Sequence, residues 1–274
     1  MPLYIQTNVA SMVAQSNLGK TQNAMSTSFA RLSSGYRINS AADDAAGLGI
    51  SESMIAQIRS YTVAERNAND GISMAQTADG ATAQMGGILA RLRELGVQAR
   101  NGSLMAADRA NLDTEYQALT QELDRIVDVT KFNGTDLLKT TATVKFQVGI
   151  STGTSDQIAV DFGGLTTTDL TINGTSVTSD INAKTAIDAL DVAIGKLSTK
   201  RATFGTAMNR LQSTVMNIQS MKTNLSAANS RIRDVDVAEE SAALAKQQVL
   251  SQAGSAILAQ ANQSPQLAIS LLKG

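Results

Sequence analysis

A mainly α fold is predicted for these 274 residues: a long antiparallel helical coiled-coil rod with a small β-hairpin region at mid-chain. Three observations predict it. From Ile50 to Leu92 an apolar or alanine side chain falls at Ile50, Met54, Ile58, Tyr61, Ala64, Ala68, Ile72, Ala75, Ala78, Ala81, Met85, Ile88 and Leu92. These twelve steps over 42 residues average 3.5 residues each, the period that keeps one stripe against a partner helix. A second seam runs Ile187, Leu190, Ile194, Leu197, Arg201, Phe204, Met208, Leu211, Val215, Ile218, Met221, Leu225, Ala228, Ile232, with Arg201 its one charged member. Between the seams, residues 140–181 lose helical spacing and turn rich in Thr, Ser, Gly and Asp. A helix over 50–92 is about 63 Å long at about 1.5 Å per residue, whereas a compact chain of this length has a radius of gyration of about 18 Å. Hence the rod.

The elements follow in order. Ile5, Val9, Met12, Leu18, Met25, Phe29 and Leu32 share one helical face at the N-terminal end. Ser33-Ser34-Gly35-Tyr36 stops that helix, because Gly35 accepts positive φ. Asn39-Ser40 offers an N-cap before Ala41, which puts Asp43 and Asp44 in a first turn. The 50–92 helix ends at Asn101-Gly102-Ser103, a tight turn that folds Leu112, Tyr116, Leu119, Leu123 and Ile126 back onto the first seam. Asn133-Gly134-Thr135 closes the 103–129 helix and launches the β region. Val144, Phe146, Val148 and Ile150 alternate with polar residues, as do Ile158, Val160 and Phe162, which reads as a hairpin. Short strands are expected near Ile172 and Val177, then the 187–232 helix. Leu244, Val249, Ala253, Ile257, Ala261 and Ala268 repeat helical spacing at the C-terminal end.

Composition removes whole classes of chemistry. Without Cys or His the usual zinc sites, Ser-His-Asp triads and thiol nucleophiles are unavailable. A carboxylate pair would need a dry pocket to separate its pKa values, which alanine-rich seams do not suggest. No enzyme, metal or cofactor is therefore expected. A net charge of −1 lacks the electrostatic footprint of a nucleic-acid binder. No apolar run is long enough to cross a membrane, so no membrane insertion is expected. Met1 to Ala10 has neither a basic start nor a continuous apolar core, so no secretory signal is expected either.

The two ends are chemically unusual. Residues 1–30 carry one charged side chain, Lys20, and residues 241–274 carry two, Lys246 and Lys273. Solvated helix faces are normally rich in Lys and Glu, whereas these are Ser, Thr, Asn, Gln and Ala. They read either as frayed low-complexity tails or as segments that order when many copies assemble.

Five blocks, in order, resemble the bacterial flagellins: RLSSGYRINSAADDAAGLGIS from Arg31 to Ser51, LRELGVQARNGS from Leu92, KFNGTDLL from Lys131, SRIRDVDVAEESA from Ser230 and QANQSPQLAISLL from Gln260. The resemblance covers about residues 1–139 and 183–274; the β insert carries no family signature. It implies a structural subunit that polymerises helically into the flagellar filament for swimming, with a flagellin-like hook-filament junction protein as the alternative. It implies terminal paired helices at 1–40 plus 235–274 as inner filament core, and an outer helical domain at 41–234 including the β region 140–181. Ile5, Val9, Met12, Leu18, Met25, Phe29, Leu244, Val249, Ile257 and Leu267 would then form the polymer-core interface. Asp43 and Asp44 would either meet a basic group on a neighbouring subunit or serve the helix dipole alone. Arg231, Arg233, Asp234 and Asp236 would form layer-junction salt bridges or a solvated hinge.

Further partners are implied by the family: the chain itself as homopolymer, a flagellar type III export apparatus with its chaperone, and cap and hook-junction proteins. The place would be the extracellular filament. A Toll-like innate immune receptor would recognise Arg91, Leu95, Gln98 and Glu115, which match the family's motif positions. Leu95 also reads as a seam residue. Glycines such as Gly47, Gly49, Gly86, Gly87 and Gly96 point to close helix approach or to bends, each at a cost of about 1 kcal/mol against Ala.

Overall fold

The computed structural model describes residues 7–139 and 142–273, with the side chains of 142 and 264–273 outside the description. Five helices dominate it: α1 (Val9–Ser34), α2 (Ala45–Ala99), α3 (Ala106–Val129), α4 (Asp180–Arg233) and α5 (Val237–Lys273). Four short strands lie between α3 and α4: β1 (Lys131–Phe132), β2 (Thr135–Asp136), β3 (Ala142–Gln147) and β4 (Gln157–Phe162). The predicted fold class, mainly α with long helices and a small β region, is the one observed. By contacts the chain forms two compact units, Met1–Ala56 with Asn224–Gly274, and Gln57–Thr223. Helices α2 and α4 run through both.

The Gln57–Thr223 unit holds the core. Helices α2 and α4 are antiparallel there, as three ion pairs along their length require: Arg93–Asp191 at 2.7 Å, Arg201–Asp79 at 2.9 Å and Lys222–Glu65 at 2.7 Å. Arg201, the charged seam member, thus lies at the edge and reaches across to α2. Of the first seam, Ala64, Ala68, Ala75, Ala78, Met85 and Leu92 are buried. From Met74 onward the buried face widens to include Leu89, Leu95 and Ala99. The reason is a third helix: α3 folds back along α2, with Arg91 meeting Glu115 at 2.8 Å. Its Tyr116, Leu123 and Val127 face inward. Ile50 lies outside this unit and is half exposed, so the seam fails at its first step. Gly96 serves close approach, since a Cβ there would lie 2.9 Å from Cγ1 of Ile187.

The turn at 100–105 is tied by Arg109, which donates from Nε to the Ala99 carbonyl at 2.8 Å and from Nη2 to the Asn101 carbonyl at 3.1 Å. Helix α3 stops at Val129, with Thr130 Oγ1 donating to the Ile126 carbonyl. Asn133 and Gly134 take φ of 48° and 80° and join β1 to β2 in register Lys131↔Asp136 and Phe132↔Thr135. Two consecutive positive φ values match the twist of a two-residue hairpin. So Asn133-Gly134 makes a hairpin of its own and does not close the helix, as the sequence had suggested.

The β3–β4 hairpin is where the alternation places it, pairing Val144↔Val160 and Phe146↔Ile158. Phe146, Ile158, Val160 and Phe162 pack into the core, and the Phe162 ring stacks on Phe204 of α4 at 5.5 Å. The strands expected near Ile172 and Val177 do not form. Both residues are fully buried, but α3 satisfies the segment's polar groups in place of a strand ladder. Asp124 accepts from the backbone N–H and hydroxyl of Thr167, Asp113 from the N–H of Val177, and Gln117 Nε2 donates to the Thr175 carbonyl. A buried backbone must pair with something, and here side chains do it.

Candidate polymerisation surface

In the unit formed by Met1–Ala56 and Asn224–Gly274, α1 and α5 pair antiparallel. Asn8 Nδ2 donates to the Ala261 carbonyl at 2.8 Å, Ser11 Oγ to Asn262 Oδ1 at 2.7 Å, and Arg31 faces Glu240 at 3.5 Å. Midway, a Cβ on Gly254 would sit 3.3 Å from Leu18 Cδ1, so the Leu18 side chain packs onto the α5 backbone there. The pairing is thin. Along α1 only Ser28 is buried, and along the described side chains of α5 none is. Among the described residues the two helices share a single seam, and their other faces are largely exposed.

What those faces carry decides what the pair is for. Val9, Met12, Val13 and Phe29 on α1, and Val249, Leu250 and Ile257 on α5, are each between 45% and 65% exposed. The polar positions among them are mostly uncharged. Of the predicted interface residues, Val9, Met12, Phe29, Val249 and Ile257 are therefore surface residues of the single chain. Leu18, Met25 and Leu244 are half-buried. Ile5 and the Leu267 side chain lie outside the described residues. Isolated exposed apolar side chains are ordinary, but these form a set on two adjoining helices that carry few charges.

The joint between the helices is built differently from the expectation. Gly35, at φ 75°, ends α1, and its N–H donates to the Arg31 carbonyl. Helix α2 begins at Ala45, so Asp43 and Asp44 precede it. Asp44 Oδ1 accepts from the Gly47 N–H at 2.9 Å and acts as the N-cap. Asp43 accepts from the N–H groups of Asn39 and Ser40 and from the Ser40 hydroxyl. Those bonds, with Ser40's backbone first, hold its carboxyl below the ordinary carboxylate value. Both acids are spent locally. A Cβ on Gly47 would crowd the Asp44 carboxylate and lie 2.7 Å from Cδ1 of Ile38, which is fully buried, so a larger residue there would have to displace both side chains.

Opposite, the Arg233 carbonyl accepts from Arg37 N–H at 2.6 Å, and Arg37 Nη2 donates to the Ile232 carbonyl. Tyr36 bridges Asp234, and the Arg233 guanidinium stands 4.5 Å over the Tyr36 ring while reaching Glu52 at 3.3 Å. Asp236 caps α5 through the N–H groups of Ala238 and Glu239. Of the four charges singled out in sequence, Arg233 makes the cross-links, Asp234 contributes backbone, Asp236 caps, and Arg231 is exposed. Sequence reasoning missed Tyr36 and Arg37; their place directly after a helix-stopping glycine was the available signal.

Among the four receptor-motif residues, Arg91 and Glu115 are exposed and bonded to each other at 2.8 Å, and the Glu115 bond raises the Arg91 pKa. Gln98 is exposed. Leu95 has no exposure and sits in the core with Leu92 and Ala99. Its seam role is the observed one, and it cannot be part of a surface patch on this folded chain.

The bacterial flagellin N-terminal helical region matches residues 5–143, and the bacterial flagellin C-terminal helical region matches residues 187–272. This chain belongs to the bacterial flagellin family. A flagellin of Halalkalibacterium halodurans is 43% identical over 272 residues, covering 99% of this chain and 100% of that one. A flagellar filament 33 kDa core protein of Treponema phagedenis is 38% identical over 286 residues, at 99% and 100% coverage. The crystal structure of Bacillus cereus flagellin aligns at TM-score 0.50 and 37% identity, over 60% of this chain and 94% of that chain. The chain is a structural subunit of the flagellar filament, and the junction role is not favoured. Flagellins of this kind polymerise into an extracellular filament.

Proposed function

We propose that the α1/α5 pair is the surface through which this flagellin polymerises, and that burying its uncharged apolar faces against other copies drives assembly. One observation carries the reading: Val9, Met12, Phe29, Val249 and Ile257 stand in water in the single chain, on helices nearly free of charge. Apolar burial contributes about 25 cal/mol per Å², and each added subunit repeats the gain. Near-neutral helices pack together without like-charge repulsion. A head-to-tail contact that does not close yields a filament rather than a ring.

On this reading, residues 1–40 with 235–274 form the inner filament core, and residues 41–234, including the β region 140–181, form the outer domain. The helix interruptions at Gly35–Asp44 and at Asp234–Asp236 support such a division. Export through a flagellar type III apparatus with a chaperone, and contacts with cap and hook-junction proteins, accompany the filament role. Arg91, Gln98 and Glu115, without Leu95, are the exposed residues left for a Toll-like receptor.

The test is seeded growth. Purified monomer returned to neutral pH with short filament seeds is viewed by electron microscopy, beside a truncation lacking residues 1–30 and 241–274. Filaments from the intact chain alone support the proposal. A truncation that grows equally well defeats it.

A further inference from the structure

Peroxide has one kind of readily oxidised side chain to attack here. The 274 residues hold no Cys, no His and no Trp, but ten Met. A thioether sulfur takes up one oxygen atom to become a sulfoxide, and exposed sulfurs are reached first. Burial sorts the methionines. Met74 and Met85 are 7% and 0% exposed and lie in the core of the Gln57–Thr223 unit. Among the described residues, Met12, Met105, Met216 and Met221 stand in water, between 41% and 76% exposed.

Met12 differs from the other three by its place. Val9, Met12 and Val13, each between 55% and 62% exposed, fall at i, i+3 and i+4 and so make one apolar ridge on α1. The side chains of Asn8 and Ser11 are the ones turned to α5, donating to the Ala261 carbonyl and to Asn262 Oδ1. Along α1 the nearest charged side chain to Met12 is Lys20, eight residues on. A sulfoxide oxygen is a polar hydrogen-bond acceptor. Water satisfies it on the single chain, but once buried it must find a donor or remain unpaired. Val9 and Val13, its neighbours on the ridge, offer none.

We infer that Met12 is a modification site that controls polymerisation: peroxide converts it to the sulfoxide in the unassembled chain, and the oxidised chain fails to add to a filament. The inference rests on the reading of the α1/α5 pair as the polymerisation surface. In the step the peroxide O–O bond breaks, an S–O bond forms, the sulfur gives up an electron pair, and the peroxide's other oxygen leaves as water. A methionine sulfoxide reductase reverses the change: a dithiol is oxidised to its disulfide, and the sulfoxide oxygen leaves as water. Once a chain is in the filament, the burial that a sulfoxide would oppose shields the sulfur from the oxidant. The control therefore acts ahead of assembly and not after it.

The test oxidises monomer with hydrogen peroxide, removes the oxidant and offers the chain to short seeds, with mass spectrometry reading conversion at Met12. The critical concentration should rise about tenfold or more, while circular dichroism of the monomer stays unchanged and reductase treatment restores growth. Met12→Leu keeps the ridge apolar at nearly the same volume, and should grow normally after the same treatment. A chain with Met105, Met216 and Met221 all replaced by Leu should remain sensitive. In preformed filaments Met12 should oxidise several-fold more slowly than in monomer. If Met12→Leu is arrested by peroxide as fully as the parent, the inference is overturned. Converted parent chains whose critical concentration stays within about twofold overturn it too; with Met12 protected in filaments, the surface reading survives that result. Filaments in which Met12 oxidises as fast as in monomer bring down both.

Discussion

Replacing Phe29 with alanine tests the inner surface most directly. In the single chain Phe29 is 64% exposed. A fully buried phenylalanine removes about 150–250 Å² from water, so roughly 100–160 Å² of Phe29 is still available for burial on assembly. At about 25 cal/mol per Å² that area contributes about 2.5–4 kcal/mol. The alanine methyl keeps roughly a third of it, leaving a loss of about 2 kcal/mol per added subunit. Since about 1.4 kcal/mol is a tenfold change in an equilibrium constant, the critical concentration for growth should rise roughly 25- to 30-fold. Sedimentation of filaments at a series of total protein concentrations reads that value. Thermal unfolding of the monomer should stay within about 0.5 kcal/mol of the parent, as expected of a surface position. A critical concentration that shifts less than about threefold would mean that Phe29 remains wet in the filament, and the burial argument would fail.

Other perturbations separate the fold from the assembly surface. Phe204→Ala removes a fully buried ring stacked on Phe162; it should cost about 3–5 kcal/mol in a urea titration followed by circular dichroism. Gly134→Ala places a Cβ at φ 80°, and should cost about 1–2 kcal/mol in the same titration. The Glu65 carboxyl is held below its ordinary 4.5, first by the Lys222 hydrogen bond and then by that of Gln219. A folded value below the unfolded one means the contribution is complete above 4.5 and is lost as pH falls through the lowered value. Glu65→Gln should therefore lower the urea midpoint at neutral pH and flatten part of its decline in acid.

Much of the fold was legible because it rests on periodicity. The α2 and α4 seams and the β3–β4 hairpin follow from spacings of 3.5 and 2, which local sequence displays. Elements held by long-range side-chain bonds were not legible. Ile172 and Val177 carry strand-like apolar residues, yet Asp113, Asp124 and Gln117 on α3 hold their loop in another form. The Asn133-Gly134 hairpin could have been read from its dipeptide alone. At the candidate surface, the lack of charge was plain in sequence. The local capping by Asp43 and Asp44 was not, because the true helix start lies after both.

By itself, then, the sequence determined the helical seams, the uncharged ends and the family, each of which is a property of residue order. Tertiary structure decided which seam positions are buried and which meet water. It turned Leu95 inward and left Phe29 and Ile257 outside, because burial depends on whether a third element covers a helix. Helix α3 and the β insert cover α2 and α4 in one unit; in the other, among the described residues, α1 and α5 cover only each other, so their remaining faces stay open.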